Sequence, residues 1–326
     1  MQLAILDDYM NVALDSADWA SIRRRGVDIT VFDSAFGSVE QAAAKLAPFD
    51  IVNLLRERTH FTRALIERLP NLKLIAMTGR RAPSLDIAAA TERRILVSNT
   101  HGGEGGASTA EMAWALLLAG ARDLAKADRC VREGRWHEGL RAGTVLEERR
   151  LGLVGLGRLG TRMAGYGKAF GMDVVAWSQN LTPERAAEAG ARYVTKEELF
   201  SSSDFISIHV VLSDRTRKLV GAADFARMKQ SAILINTSRG PVLDEAALID
   251  ALEQRRFAHA ALDVYEREPL PQDHRLRTLD NVTLAPHLGY VNSDIFRHFY
   301  GESVKNILAW LDGKPINVLN PETLSR

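Results

Sequence analysis

Short apolar runs alternate with amphipathic stretches along most of the chain, and this alternation predicts a parallel α/β fold. Between the apolar runs lie segments with helical spacing, such as 39–47 and 63–69, the second of which ends before Pro70. Apolar runs too short for helices are typical of strands buried on both faces of a helix-covered parallel sheet. In the first third of the chain, the predicted strands are Leu3–Leu6, Asp28–Phe32, Ile51–Leu55, Leu72–Met77 and Ile95–Ser98.

A glycine-rich stretch, His101–Gly106, separates this first α/β unit from a second one. We expect Gly102–Gly106 to act as a hinge, because glycine leaves the backbone free. Two long helices are predicted, Thr109–Arg132 with Ser108 as its N-cap and Asp294–Leu311 near the end of the chain. The strands predicted for the second unit are Leu151–Val154, Asp173–Trp177, Phe205–Val210, Ala232–Asn236, His259–Asp263 and Val282–Leu284.

Length and composition agree with two ordinary globular domains, since 326 residues exceed what one core usually serves. Charged residues make up 25% of the chain, and a net charge of +1 does not favour nucleic acid or acidic membranes as partners. The single cysteine, Cys130, can form no internal disulfide, and no Cys/His cluster predicts a metal site. The N-terminus lacks signal-peptide features and the longest apolar run, Met112–Ala121, is too short to span a bilayer, so we expect a cytoplasmic protein.

The strand Leu151–Val154 leads into a G-x-G-x-x-G spacing at Gly155, Gly157 and Gly160, and the following residues can continue as a helix. In such a turn the first glycine permits the tight bend, the second lets the backbone approach a pyrophosphate, and the third lets helix pack on strand. The helix N-terminus offers unpaired N–H groups and partial positive charge to the phosphates. The turn, including Arg158 and Leu159, is therefore predicted to bind a dinucleotide.

The residues after the next strand bear on which dinucleotide is bound. NAD-binding versions of this turn place an Asp or Glu about 20 residues further on, where it binds the ribose hydroxyls. Here the chain has Trp177-Ser178-Gln179-Asn180, with no carboxylate to repel a 2′-phosphate. Ser178 is the candidate ribose-binding residue, and the expected cofactor is NAD(P), with NADP favoured and NAD as the alternative. Arg185, the nearest arginine, is equally well explained as a solvated helix charge.

Three further segments follow strands of the second unit and bring an arginine, a carboxylate and a histidine to one sheet edge. They are 236–240 with Arg239, 263–271 with Glu268, and 286–289 with His287. Arginine is a permanently charged fork for a substrate carboxylate, and histidine can exchange a hydroxyl proton near neutral pH while a carboxylate fixes its tautomer. Taken singly, the three would be a surface ion-pair partner, a solvated turn residue and a loop histidine, but together they suit oxidation of a hydroxy acid.

In sequence order, these segments resemble the motifs of the D-isomer-specific 2-hydroxyacid dehydrogenases, and the resemblance covers nearly the whole chain. It is carried by Gly-Leu-Gly-Arg-Leu-Gly at 155–160, Asn-Thr-Ser-Arg-Gly-Pro-Val-Leu-Asp-Glu at 236–245, the segment 261–271 and Ala-Pro-His-Leu-Gly at 285–289. The resemblance implies two Rossmann-like domains with doubly wound parallel sheets. One is a flavodoxin-like substrate domain, residues 1–101 plus 290–326, and the other is an inserted NAD(P)-binding domain, residues 102–289.

The resemblance also implies roles for individual residues. Arg239 would bind the substrate carboxylate and polarise the carbonyl, His287 would be the general acid/base, and Glu268 would be its partner. Asp263 matches the position beside the nicotinamide, and Thr109 matches one near the cofactor phosphates. The complete cofactor-binding set implied is Thr109, Gly155, Gly157, Arg158, Leu159, Gly160, Ser178, Thr237, Asp263 and Gly289.

The first domain departs from the family in its substrate loop. Many members have a Gly-Ala-Gly type loop whose N–H groups bind the substrate carboxylate, whereas this chain has Thr-Gly-Arg-Arg-Ala-Pro at 78–83. Arg80 and Arg56 resemble arginines of phosphoglycerate dehydrogenases and could meet a phosphate or a second carboxylate, although Arg80 and Arg81 are equally well explained as solvated loop charges. The predicted substrate-binding residues are Arg56, Gly79, Arg80 and Arg81, and the identity of the hydroxy acid stays open.

Two other functions are compatible with this sequence. One is a non-catalytic, nucleotide-sensing binding protein resembling the co-repressors related to this family, which the intact Arg239, Glu268 and His287 disfavour. The other is a formate or phosphite dehydrogenase, and Glu268 argues against the formate branch, whose members resemble this family but carry Gln there. The helix after the hinge, with Trp114, predicts a homodimer, although the same helix could be buried within one chain.

Overall fold

A computed structural model describes residues 1–80, 83–101 and 106–324. Its contacts divide the chain into two compact units, Met1–Glu104 with Val291–Arg326, and Gly105–Tyr290. We call them the outer unit and the inserted unit, and each is described by itself.

All strands are short, and all pair in parallel. The strands are β1 Gln2–Ile5, β2 Asp28–Val31, β3 Ile51–Leu54, β4 Leu74–Met77, β5 Leu96–Asn99, β6 Arg150–Val154, β7 Asp173–Trp177, β8 Arg192–Tyr193, β9 Phe205–Ile208, β10 Ile233–Asn236, β11 His259–Leu262 and β12 Val282–Leu284. The α-helices are α1 Trp19–Arg23, α2 Val39–Leu46, α3 Arg63–Ile66, α4 Ile87–Glu92, α5 Gly106–Arg122, α6 Leu124–Arg132, α7 Arg158–Ala169, α8 Pro183–Glu188, α9 Lys196–Ser202, α10 Ala222–Arg227, α11 Glu245–Glu253 and α12 Ser293–Leu311.

The outer unit is a five-stranded sheet in the order β2-β1-β3-β4-β5. This is the doubly wound, flavodoxin-like order, in which the chain reverses direction across the sheet between β1 and β3. One face packs against α2, α3 and α4 through a core that includes Leu46, Ile66 and Ile75. On the other face, α1 lies against α12, where Trp19 meets Tyr300 edge-on with ring centroids 6.0 Å apart.

The inserted unit is a seven-stranded sheet in the order β12-β11-β10-β9-β6-β7-β8. Its first half runs outward from β6 and its second half runs the other way from β9, which is the nucleotide-binding arrangement with one extra strand. A core on one face includes Leu117 of α5 and Met163 of α7, and a core on the other includes Phe200 of α9 and Leu252 of α11. The predicted α/β class with two doubly wound parallel sheets is confirmed.

The helix predicted over Thr109–Arg132 is wrong in two respects. It begins earlier, at Gly106, so Ser108 lies inside the helix and is not its cap. It also divides into α5 and α6 at Asp123, whose backbone is left-handed with φ of 53°. Asp123 is buried, and its carboxylate accepts the Arg141 N–H at 3.2 Å, so a contact from outside the helix fixes the break. The predicted hinge residues 102–105 lie outside the described residues, and Gly106 is helical.

Candidate active site

The glycine-rich turn between β6 and α7 has little room for side chains at two of its three glycines. Gly155 has φ of 98°, and a Cβ there would lie 2.7 Å from the carbonyl oxygen of His209. A Cβ on Gly160 would overlap the carbonyl oxygen of Gly155. At Gly157, by contrast, a Cβ would meet no atom of the described residues within 4 Å, and none of their side chains caps the start of α7 there. The turn therefore presents open backbone and a helix N-terminus, as a pyrophosphate requires.

After strands β9 and β10, two buried polar side-chain atoms have no hydrogen-bond partner among the residues that the structure describes. They are Oγ1 of Thr237 and Nδ1 of His209, which follow the neighbouring strands β10 and β9. The other ring nitrogen of His209 lies 2.8 Å from the hydroxyl of Ser207. Burial lowers the pKa of His209 to about 4, so the ring is neutral at physiological pH. Because buried polar atoms are normally paired, these two atoms and the open turn fit a bound dinucleotide.

At the end of β7, the side chains are neutral where ribose recognition is expected. Trp177 and Ser178 are half-buried, and Gln179 and Asn180 are exposed. The ammonium of Lys196 lies 5.8 Å from the centre of the Trp177 ring and is held by Asp224 at 2.8 Å. The position that would carry a ribose-binding acid is thus occupied by a hydroxyl and two amides.

The loops after β10, β11 and β12 emerge side by side, because these three strands are neighbours in parallel register. Arg239, on the first loop, donates from Nη1 to the Ser238 carbonyl at 2.7 Å. The next residue, Gly240, packs directly on the Tyr265–Glu266 backbone, where a Cβ would overlap the Tyr265 carbonyl. The loop carrying Arg239 and the loop carrying Glu268 are therefore in direct contact.

His287 and Glu268 form a close pair across the loops after β12 and β11. Nδ1 of His287 lies 2.5 Å from Oε2 of Glu268, and Oε1 of Glu268 accepts the Tyr265 N–H at 3.0 Å. This contact assigns the imidazole hydrogen to Nδ1 and leaves Nε2 as the nitrogen that exchanges a proton with a ligand. His287 adopts a left-handed backbone with φ of 57°, and its ring meets that of Tyr290 edge-on at 5.6 Å.

Asp263 supports the turn that presents His287. Its two carboxylate oxygens accept the backbone N–H groups of Leu288 at 2.7 Å and Gly289 at 2.8 Å. Burial raises the pKa of Asp263 to about 6, while these hydrogen bonds and the nearby His287 act in the opposite direction. The Asp263 carboxylate thus stabilises the turn after His287. Its position beside a nicotinamide stays a prediction.

Thr109 and Gly289, both predicted to bind the cofactor, contact each other. The Thr109 hydroxyl donates to the Gly289 carbonyl at 2.9 Å, which ties the start of α5 to the loop after β12. Arg158 and Leu159 open α7, and the Arg158 side chain passes close to Gly106, where a Cβ would lie 3.1 Å from Nε. The predicted cofactor residues of the inserted unit therefore lie in the loops that follow its strands or at the start of α5 and α7.

In the outer unit, the predicted substrate-binding residues lie at the carboxyl ends of β3 and β4. Arg56 has a left-handed backbone with φ of 56°, and its N–H donates to the Thr78 hydroxyl at 2.9 Å. Its guanidinium lies 6.0 Å from the centre of the Phe299 ring. Gly79 has φ of 87°, and a Cβ there would lie 2.7 Å from Nη1 of Arg56. Arg80 is exposed, and Arg81 lies outside the described residues.

One pair that sequence reasoning missed adjoins the Glu268 loop. His274 Nε2 lies 3.1 Å from Oε1 of Glu245, although His274 has no recognisable sequence pattern. The two residues are separated by a helix and a strand along the chain, so no local spacing could have indicated the contact.

Comparison with known proteins identifies the family. The model of the NAD-binding domain of D-isomer specific 2-hydroxyacid dehydrogenases matches residues 114–289. Glyoxylate reductase of Aeropyrum pernix is 39% identical over 268 residues, which cover 80% of each chain. D-3-phosphoglycerate dehydrogenase of Archaeoglobus fulgidus is 38% identical over 267 residues, which cover 82% of this chain and 50% of that protein. A phosphoglycerate oxidoreductase structure from Vibrio cholerae matches with a TM-score of 0.89 and 34% identity, covering 96% of this chain and 99% of that one. The chain therefore belongs to the D-isomer specific 2-hydroxyacid dehydrogenase family.

As a member of this family, the chain is an oxidoreductase that interconverts a D-2-hydroxy acid and its 2-oxo acid with a nicotinamide cofactor. The resemblance inferred from the motifs and the expectation of an enzyme acting on CH–OH groups are confirmed. Among the described residues, no helix combines the length and apolarity needed to cross a bilayer. Within the same ranges, no group of three or more His, Cys, Asp or Glu side chains is placed to hold a metal ion.

Proposed function

We propose that His287, Glu268 and Arg239 carry out the interconversion of the oxo acid and the hydroxy acid. The observation that supports this is the 2.5 Å contact between His287 Nδ1 and Glu268, which fixes the ring so that Nε2 handles the substrate proton. In reduction, the protonated ring donates its proton to the substrate oxygen while Glu268 holds the ring in place. The same pair serves oxidation when the neutral ring accepts the hydroxyl proton.

Each residue supplies a separate part of the reaction. When bound, the nicotinamide accepts or supplies the hydride. The guanidinium of Arg239 binds the substrate carboxylate and stabilises the charge that develops on the neighbouring oxygen. In reduction, Nε2 of His287 gives its proton to that oxygen, and in oxidation it takes the proton back. Thr237, His209 and the glycine-rich turn hold the dinucleotide.

Replacement of the three residues tests this assignment. We expect His287→Gln to lower kcat about 10³-fold and Arg239→Ala to lower kcat/KM by a similar factor, as is typical when a general acid or an oxyanion-stabilising group is removed. NAD(P)H binding, followed by cofactor fluorescence, should persist in both. His137→Ala is the matched control, because His137 is an exposed histidine of the same unit. Near-normal turnover in His287→Gln would show that His287 is not the general acid/base.

For the cofactor, we propose a preference for NADP over NAD. Ser178, Gln179 and Asn180 can donate hydrogen bonds to a 2′-phosphate, and they include no acid that would repel it.

For the substrate, Arg56 and Arg80, which follow strands β3 and β4 of the outer unit, favour an oxo acid with a second anionic group. The relatives are named for glyoxylate, hydroxypyruvate and phosphoglycerate, and these compounds define the first panel.

The two proposals are tested together by following NADH and NADPH oxidation with glyoxylate, hydroxypyruvate, phenylpyruvate, 2-ketogluconate and 3-phosphohydroxypyruvate. We expect a lower KM for NADPH than for NADH, and a preference for the phosphorylated acid. Preference for glyoxylate would refute the phosphate role of Arg56 and Arg80. Absence of turnover with all five acids would favour the nucleotide-sensing alternative.

We also propose a homodimer in the cytoplasm, formed through the region around α6. Trp114, from which the sequence predicts a dimer, is buried against Tyr166 and Phe170 of the same unit. Several large apolar side chains around α6 are exposed, and Trp136 at 67% and Val145 at 69% are the most prominent. Leu124 and Val131 of α6 are more than half exposed as well. Light scattering coupled to size-exclusion chromatography should give twice the chain mass, and Trp136→Glu should shift it towards the monomer.

A further inference from the structure

The loop that carries Glu268 is attached to a second His–Glu pair, Glu245 and His274. Glu245, at the start of α11, uses both oxygens of its carboxylate. Oε2 accepts the Glu266 N–H at 3.1 Å, and Oε1 lies 3.1 Å from Nε2 of His274. One carboxylate thus joins α11 to two points of the segment that follows β11.

The tautomer of His274 is fixed by its other nitrogen. Nδ1 accepts the backbone N–H of Leu276 at 3.3 Å, so the ring hydrogen lies on Nε2 and points to Glu245. Both side chains are largely shielded from water, with 17% exposure for His274 and 21% for Glu245. The imidazole therefore holds the Glu245 carboxylate in the orientation that receives the Glu266 N–H.

Glu266 precedes Glu268 by two residues, so a shift of the Glu266 backbone would also move Glu268. The intervening turn is closed by the Tyr265 N–H, which donates to Oε1 of Glu268 at 3.0 Å. The far end of the loop is held by Arg277, which donates to the carbonyls of Leu270 and Pro271, both at 2.7 Å. Because a 2.5 Å hydrogen bond tolerates little displacement, release of the Glu266 anchor would weaken the contact between Glu268 and His287.

We propose that Glu245 and His274 are positioning residues that fix Glu268 against His287. This inference rests on the proposed roles of Glu268 and His287. Neither Glu245 nor His274 contacts the reacting atoms, and the pair acts through the backbone of Glu266. Supporting groups of this kind commonly set the orientation of a catalytic side chain.

The test compares Glu245→Ala, Glu245→Gln and His274→Ala with Glu253→Ala in the full-length protein. Glu253 is a matched control, because it also links α11 to the segment after His274, through Arg275 at 2.5 Å. Among the described residues, Glu253 has no hydrogen bond to the loop that carries Glu268. We expect Glu245→Ala to lower kcat about 10- to 100-fold with little change in NAD(P)H affinity. His274→Ala should show the same change to a smaller degree.

Glu245→Gln should recover part of the loss, since its amide oxygen can still accept the Glu266 N–H. Melting temperatures of all variants separate a general loss of stability from this effect. A folded Glu245→Ala protein with wild-type kcat would overturn the proposal.

A second readout does not depend on turnover. In ¹⁵N-histidine-labelled protein, two-bond ¹H–¹⁵N spectra report which ring nitrogen carries hydrogen. We expect His287 to be protonated on Nδ1 in the wild type and in Glu253→Ala, and to lose this preference in Glu245→Ala. Retention of the wild-type ring signals in Glu245→Ala would contradict the positioning role. If the wild-type protein reduced none of the oxo acids, the proposed function would fail, and these spectra would still decide the positioning role.

Discussion

The two units of the chain have the same kind of sheet, but the turns after their first strands differ. After β6 of the inserted unit, the turn has glycines at three positions, and no side chain in the described part of the chain caps the N-terminus of α7. After β1 of the outer unit, the turn carries Asp7 and Asp8, both buried. The Asp8 carboxylate accepts the Val12 N–H at 3.0 Å and the Ala13 N–H at 2.9 Å. In the outer unit, the backbone N–H groups of this turn are therefore paired with the carboxylate of Asp8.

We infer from this difference that the turn, and not the sheet, sets which unit can take a dinucleotide. A doubly wound sheet exposes backbone N–H groups beyond its first strand in both units. Where a side-chain carboxylate occupies those groups, a phosphate would be both displaced and repelled. Where glycines replace it, the same groups remain available to a ligand.

The largest effect is expected when the glycine-rich turn of the inserted unit receives an acidic residue, as the turn of the outer unit has in Asp8. Gly157→Asp should fold, because the position has open space and φ of −83°, and the new carboxylate should cap α7. It should weaken NADH and NADPH binding about 1,000-fold, or about 4 kcal/mol, through repulsion of the phosphates. Titration of cofactor fluorescence measures the affinity, and thermal unfolding checks the fold.

Gly165→Asp is the matched control, because this glycine lies on the same helix, is exposed and also has open space for a Cβ. It should leave the affinity unchanged. Equal cofactor affinity in Gly157→Asp and the wild type would mean that the turn does not hold the phosphates.

A second difference between the units is acid sensitivity. The inserted unit has a buried histidine, His259, whose Nε2 lies 2.9 Å from the Thr283 hydroxyl and whose pKa is lowered to about 4 by burial. The unfolded chain binds this proton near pH 6.5, so stability is present above that pH and is lost as the pH falls towards 4. The described histidines of the outer unit, His60, His101 and His298, are not buried.

His259→Gln should therefore reduce the acid sensitivity of the inserted unit, since Gln can keep the hydrogen bond to Thr283 without taking up a proton. Between pH 7.5 and pH 4, the unfolding free energy of the wild type should fall about 3 kcal/mol more than that of the variant. Urea unfolding at several pH values measures this, with His137→Gln as the exposed control. Parallel pH curves for wild type and His259→Gln would exclude His259 as the cause.

The smallest effect is expected on the stability of the outer unit when the carboxylate of Asp8 is removed. Asp8→Ala leaves two backbone donors without their acceptor, which should cost about 1–2 kcal/mol of unfolding free energy. NAD(P)H affinity should not change, because this turn is not expected to bind the cofactor. Chemical unfolding and fluorescence titration of the same preparation give both values. A loss of cofactor affinity in Asp8→Ala would show that the two turns are not independent.

Features set by contiguous residues could be predicted from the sequence. The glycine-rich turn follows from local spacing, and the placement of Arg239, Glu268 and His287 after neighbouring strands follows from the rule that ligands bind at the carboxyl ends of parallel strands. The apolar runs predicted most strands to within a few residues. Each of these inferences needs only the residues of one turn or one strand.

Features that depend on distant partners could not be predicted in this way. The break between α5 and α6 requires the contact of Asp123 with Arg141, and the helical pattern runs through that point without interruption. The pairing of His274 with Glu245 requires the fold to bring α11 next to the segment after β11. Such contacts override local preference because tertiary packing contributes more free energy than helix propensity does.

Gly240 has a consequence for attempts to redesign this enzyme. Gly240 lies against the Tyr265–Glu266 backbone, so the loop bearing Arg239 and the loop bearing Glu268 pack together and a change in one displaces the other. A library that varies the length of either loop alone would disturb the other, and most of its members would lose activity for reasons unrelated to substrate choice. Exchange of both loops together, or variation confined to the outer unit, would keep the packing between the two loops. Changes in substrate range could then be measured without loss of the catalytic residues' positions.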